Sequence, residues 1–171
     1  LQTLDLTGLI NLKFLHCGFN QLTSLNIINS SNLEVLDFRT NQLSNINLTG
    51  NVNLTALYAL NNNLSSLNVV GYNNLQILDC TNNDLSALNL TGASNLSNLK
   101  CKNNQLTSLN ISGLSNVLIL DCSYNQIATL DASSLINVNH LDCSYNVLTS
   151  LNVSGLTVIT NLYCNNNMLS N

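Results

Sequence analysis

A period of 21 residues runs through the chain without insertion or deletion, and it constrains the fold more than any other feature of the sequence. Counted from its first apolar position, one rung reads LxxLxCxxNxLxxLxLxxxxx. Rungs begin at Leu12, Leu33, Leu54, Leu75, Leu96, Val117, Val138 and Ile159, so eight copies of the first half follow one another. Leu1, Leu4 and Leu6 fill positions 11, 14 and 16 of an earlier rung. A unit this short cannot bury its apolar face alone; stacked on its neighbours it can, which means a solenoid. Residues 1–171 are therefore read as a single array of eight rungs with partial ends and no capping segments. Because it opens in mid-repeat, a piece of a longer array is expected.

The rung Val138 to Val158 shows how the pattern folds. Its first half alternates apolar and polar residues up to Asn146, the period of a strand with one buried face. In-register copies make the strands parallel. In the second half Leu148, Leu151 and Val153 repeat the apolar signal over six residues, too few for a stable helix, so an extended or single-turn segment is expected. Pairs such as Thr49-Gly50 and Ser112-Gly113 then reverse the chain. Proline is absent, which leaves the turns to glycine and asparagine.

Two columns carry eye-catching residues that the core itself explains. Cys80, Cys101, Cys122, Cys143 and Cys164 are spaced by 21, with Cys17 three rungs before Cys80. Stacked at about 4.8 Å, such thiols have parallel Cβ vectors that suit a disulfide poorly, and Cys17 lies about 14 Å from Cys80. A straight column also cannot converge tetrahedrally on zinc. All six are read as buried free thiols, and no metal or cofactor is expected. Position 9 is asparagine in every rung: Asn20, Asn41, Asn62, Asn83, Asn104, Asn125, Asn146 and Asn167. Each amide is expected to pair backbone groups that the turn leaves open. Asparagine columns at positions 15 and 21 are expected to face outward or to sit in turns, as amide ladders or simply solvated. The eight sequons, at Asn29, Asn47, Asn53, Asn63, Asn89, Asn95, Asn110 and Asn152, fall largely in these columns and are by-products of the repeat.

Charge narrows the partners. Four basic and eight acidic residues give a net charge of −4, so no basic surface is available for nucleic acid. No apolar run reaches the roughly 20 residues of a membrane span, and membrane insertion is not expected.

The segments LKFLHCGFNQL, LQILDCTNNDL, LSNLKCKNNQL, VLILDCSYNQI and VNHLDCSYNVL resemble the leucine-rich repeat. Cysteine in place of a leucine and the 21-residue period look like the bacterial type of cysteine-ladder internalins and Bacteroidetes surface proteins. The resemblance implies an α/β-type leucine-rich-repeat solenoid, a horseshoe made mostly of parallel β-sheet with short extended or single-turn segments on the convex side. It further implies an extracellular or cell-surface location and a protein or glycan partner. The cysteine column breaks at Phe38 and Ala59, where a large and a small residue are expected to share the space of two thiols.

With positions 1, 4, 6, 9 and 11 committed to the core, positions 2, 3, 5, 7 and 8 are left for the concave face. One cluster there gathers Tyr124, Tyr145, Tyr163, Asp121, Asp142 and His140; a second gathers Phe14, His16, Phe19, Asp37 and Arg39. Exposed aromatics on a sheet mark binding surfaces, although neighbouring tyrosines can also simply stack. An enzyme built on His140 with Asp121 and Asp142 is disfavoured, since no nucleophile stands beside them and a sheet offers no closed pocket. A non-enzymatic recognition or adhesion module is expected. The alternative is a structural solenoid that stacks end to end or presents its hydroxyl columns, such as Thr107-Ser108, to ice.

Overall fold

The computed structural model describes residues 1–170. Eight three-residue strands occupy positions 3 to 5 of successive rungs: β1 (Phe14–His16), β2 (Val35–Asp37), β3 (Ala56–Tyr58), β4 (Ile77–Asp79), β5 (Asn98–Lys100), β6 (Ile119–Asp121), β8 (His140–Asp142) and β10 (Asn161–Tyr163). They form one parallel sheet in the order β1-β2-β3-β4-β5-β6-β8-β10, and every pairing joins residues 21 apart, such as Leu78 with Leu99. Two further strands, β7 (Thr129–Asp131) and β9 (Ser150–Asn152), pair in parallel on the opposite side. The expected solenoid is thus present. Its convex side takes the extended alternative, and no helix occurs among the described residues.

The core follows the repeat. Leu36, Leu57, Leu78, Leu99, Leu120 and Leu141 point inward from the strand centres and are fully buried, with the position 1 and position 11 leucines beneath and beside them. Cys80, Cys101, Cys122 and Cys143 complete that layer as free thiols, and Phe38 and Ala59 fill the same column without exposure. Sequence reasoning missed one core column. Position 19, exposed at Leu9, is buried at Ser30, Asn51, Tyr72, Ala93, Leu114, Leu135 and Leu156. Its residue type changes from rung to rung, so it carries no apolar signature. Two of its polar members bond backbone: Asn51 Nδ2 donates to the Ser30 carbonyl at 2.8 Å, and the Tyr72 hydroxyl donates to that of Leu48.

The three asparagine columns do three different jobs. At position 9, Asn104 Nδ2 donates to the carbonyls of Cys80 and Cys101, both at 3.0 Å, while its Oδ1 accepts from the Leu85 N–H at 3.0 Å. One side chain therefore ties two rungs together and gives the buried Leu85 N–H its partner, while sharing the Cys80 carbonyl with Asn83 and the Cys101 carbonyl with Asn125. At position 15 the carboxamide turns on its own rung, as Asn110 Oδ1 accepts the Ser112 N–H at 3.0 Å; Asp131 does the same for Ser133. At position 21 the amide reaches back one rung, as Asn95 does to the Asn73 carbonyl at 2.7 Å. Among the described residues, a position 15 side chain bonds its counterpart only at Asn152, which donates to Asp131 of the preceding rung at 3.0 Å.

Candidate functional site

Position 8 ends the strand segment in the left-handed region in every rung, with φ between 52° and 56°. Asparagine tolerates that conformation through local hydrogen bonding, and four rungs use it, at Asn61, Asn82, Asn103 and Asn166. Three of those amides build an exposed ladder along the solenoid. Asn103 Nδ2 donates to Asn82 Oδ1 at 2.9 Å, Asn82 to Asn61 Oδ1 at 2.6 Å, and Asn61 to the Thr40 hydroxyl at 3.2 Å. The ladder stops at Asn103. Beyond it stand Tyr124 and Tyr145, at φ 55° and 53°, a conformation that costs a bulky side chain of order 1 kcal/mol or more.

These tyrosines stack on each other, centroids 4.2 Å apart and planes 10° from parallel, with the Lys102 ammonium 5.1 Å from the Tyr124 ring. Both remain more than 40% exposed. Tyr163 does not join the stack; it lies tilted against His140, with centroids 5.5 Å apart. Asp121 and Asp142 are direct register partners in β6 and β8. Each spends Oδ1 on its own rung, accepting the Ser123 or Ser144 hydroxyl at 2.6 Å. Their Oδ2 atoms have no partner among the described residues. His140 is bonded to neither carboxylate, because it sits at position 3 and faces Ile119 and Asn161 in register.

The second cluster closes on itself. Arg39 Nε donates to both oxygens of Asp37, at 2.8 and 3.0 Å, and Nη2 lies 2.8 Å from Oδ2. His16 Nδ1 stands 3.5 Å from the same oxygen. Burial alone would raise the Asp37 carboxyl, but the Arg39 hydrogen bonds and charge, with His16, hold it below the usual carboxylate value. The guanidinium also covers Tyr58, 4.8 Å from the ring centre. Gly18 leaves room for this arrangement, since a Cβ there would stand 2.9 Å from Arg39 Cγ. Phe14 and Phe19 are exposed at its margin.

Four to five rungs separate the clusters, about 20 Å at the spacing of strands. Between them, Val35, Ala56 and Ile77 form an apolar position 3 column that Asn98 interrupts before Ile119, and Leu118 lies exposed beside Ile119. Lys102, Tyr58 and this column were not singled out from the sequence. The buried cysteines are poor nucleophiles: desolvation pushes the Cys17 thiol up to about 11 and Cys143 to about 12, and raises Cys80, Cys101 and Cys122 as well. No group of three or more metal-ligating side chains occurs among the described residues, and no helix is long and apolar enough to cross a membrane.

No protein-family model and no curated protein matches the chain. Solved structures do. The functional domain of InlJ from Listeria monocytogenes, which includes a cysteine ladder, superposes with a TM-score of 0.78 at 28% identity, over 95% of this chain and 41% of that one. The fold is a leucine-rich-repeat solenoid. The internalin InlF from Listeria monocytogenes gives a TM-score of 0.80 at 21% identity over 94% of this chain and 51% of that one, a likeness of fold alone. YopM, a leucine-rich effector protein from Yersinia pestis, gives 0.77 at 25% identity over 90% and 42%. The solenoid thus spans about half or less of these structures' length. This chain too carries a column of thiols, from Cys80 to Cys164.

Proposed function

We propose that this leucine-rich-repeat array is a non-enzymatic recognition module of a secreted or cell-surface protein, and that it binds a protein or glycan partner through its concave sheet. The observation that carries the reading is the Tyr124–Tyr145 pair. Two bulky side chains are held at left-handed φ in adjacent rungs where half the rungs use asparagine, and they stack while staying exposed; Phe19, held the same way, has no such neighbour. Costly backbone conformations retained on a surface are characteristic of binding sites. Around the pair stand Lys102, the free oxygens of Asp121 and Asp142, and the Tyr163–His140 contact, which together supply an aromatic anchor with charged groups at its rim. The neighbouring apolar column at Ile119 and Leu118 favours a protein surface over a glycan. Likeness to InlJ and YopM supports an interaction role in general terms.

The test is an arrayed screen of extracellular proteins and glycans with the parent chain and with Tyr124→Asn/Tyr145→Asn. Hits lost in the double variant support the site, and hits retained at parental affinity refute it. The alternative of an ice-binding or stacking face is favoured by no comparable observation. Its hydroxyl columns are interrupted at Ala87 and Ala128, and the convex strands pair only in places, so the surface lacks an unbroken lattice. Thermal hysteresis, or filaments seen by electron microscopy, would reinstate it.

A further inference from the structure

The convex side is not uniformly closed. Rungs three and four (54–74 and 75–95) clasp each other: Asn68 bridges to Asn89, the Gly71 N–H donates to the Thr91 carbonyl at 2.8 Å, and a Cβ on Gly92 would meet Gly71 Cα at 2.9 Å. Rungs six and seven are clasped by β7 and β9. Between rungs four and five nothing equivalent pairs, and a Cβ on Gly113 would have no neighbour within 4 Å. The two turns stand apart there, and a cleft of about 590 Å³ opens between them. It lies within the range of small-molecule sites.

Its lining has one chemical character. Asn89, Thr91, Ser94, Ser108, Asn110 and Ser112 line it over an apolar floor that includes Leu88, and none of the chain's charged residues takes part. Asn89 and Asn110 each spend Oδ1 on their own turns, accepting the Thr91 and Ser112 N–H groups at 3.0 Å. Their Nδ2 groups and the four hydroxyls donate to nothing among the described residues. A neighbouring cleft of about 350 Å³ shares Asn110 and Ser112 and extends the groove toward rung six (117–137).

Hydroxyl and amide groups that are both donors and acceptors, converging without charge beside an apolar strip, match the alternating hydroxyl and CH faces of a sugar. We propose that the convex cleft between rungs four and five is a second binding site, which takes a neutral oligosaccharide independently of the concave face.

The experiment follows the backbone amides of the ¹⁵N-labelled chain by NMR during titration with chitotriose, cellotriose or maltotriose, with sialyllactose as the charged comparison. Asn89→Asp/Asn110→Asp keeps the turn acceptor, as Asp5 and Asp131 do at the same position, but removes both amide donors. Ala87→Trp/Ser108→Trp fills the cleft from two exposed positions and leaves the core alone. The expected result is saturable shifts confined to 89–94 and 108–114 with at least one neutral trisaccharide. Both variants should then bind about tenfold more weakly or not at all, and Tyr124→Asn/Tyr145→Asn should bind as the parent does. The proposal is overturned if no neutral trisaccharide moves those amides, if the tryptophan variant binds like the parent, or if sialyllactose binds as well as the neutral sugars.

Discussion

Replacing Tyr124 and Tyr145 together by asparagine separates what the pair costs the fold from what it gives to binding. Both residues hold φ near +54°, where asparagine is tolerated and tyrosine is not, so relief of strain should return about 1 kcal/mol at each position. The Asn103 carbonyl, the present end of the amide ladder, gains a donor in the next rung, as Asn61 already gains one from Asn82. Against this stands the loss of a stacked aromatic pair, about 0.5–1.5 kcal/mol, and of one exposed cation–π contact, about 0.5–1 kcal/mol. The opposing terms nearly cancel. The double variant should therefore unfold in urea within about 1 kcal/mol of the parent. Leu99→Ala, at a fully buried position, should lose about 2–5 kcal/mol in the same assay. Binding should behave oppositely: removal of two aromatic anchors should weaken a concave-face partner by about 30-fold or more, while Leu99→Ala spares whatever fraction stays folded. If the double asparagine variant is destabilised as much as Leu99→Ala, the tyrosines are holding the fold together and the strain argument is wrong.

Asn104→Leu strands the buried Leu85 N–H and removes one of two amide donors from each of the Cys80 and Cys101 carbonyls, and should cost about 1–3 kcal/mol, read from the shift of the urea midpoint. Buried thiols should make the array labile in base. Their folded pKa values lie above the unfolded value of 9.0, so their contribution is intact below pH 9 and is lost as pH rises toward about 11 at Cys17 and about 12 at Cys143. Each adds a slope of about 1.4 kcal/mol per pH unit in that window, and changing Cys80, Cys101, Cys122 and Cys143 to alanine should flatten the fall; an unchanged pH dependence would count against thiol ionisation as its cause. Phe38→Cys alone should leave a cavity beside Ala59, and adding Ala59→Cys should recover part of the lost stability in equilibrium unfolding.

What could be read from the sequence was what the period repeats. Strand positions, parallel register, inward leucines and free thiols each recur every 21 residues, so the stacking of identical rungs leaves little freedom in their placement. Position 19 escaped because one buried site accepts Ser30, Asn51, Tyr72, Ala93 and Leu114, some apolar and some bonding backbone carbonyls, and no hydropathy pattern unites them. The left-handed turn at position 8 was open to inference: a column with asparagine in half its members points to positive φ. The Arg39 clamp on Asp37 was less accessible, since it depends on Gly18 in the preceding rung lacking a side chain. The convex cleft was out of reach. The closed pair of rungs three and four is set apart by the Asn68–Asn89 bridge, the Gly71–Thr91 hydrogen bond and the close approach of Gly71 to Gly92, contacts that the repeat pattern does not reveal.

The two concave clusters differ in how much of their chemistry is already spent. Asp37 gives both oxygens to Arg39, whose guanidinium in turn lies over Tyr58, so a partner binding there would have to break charge-assisted bonds before making its own. Asp121 and Asp142 satisfy one oxygen each within their rungs and keep the other outward, side by side on adjacent strands. Like charges held that close repel, which makes an approaching cation or donor more welcome there than at Asp37. Tyr124 and Tyr145 add the same kind of imbalance in the backbone, a cost carried by two rungs that their neighbours avoid with asparagine. Unspent hydrogen bonding and a stacked aromatic pair at positive φ coincide at the tyrosine cluster, whereas in the Arg39 cluster Phe19 alone carries such strain and the carboxylate is already spent. For that reason the proposed concave site is centred on rungs six and seven rather than on the residues around Arg39.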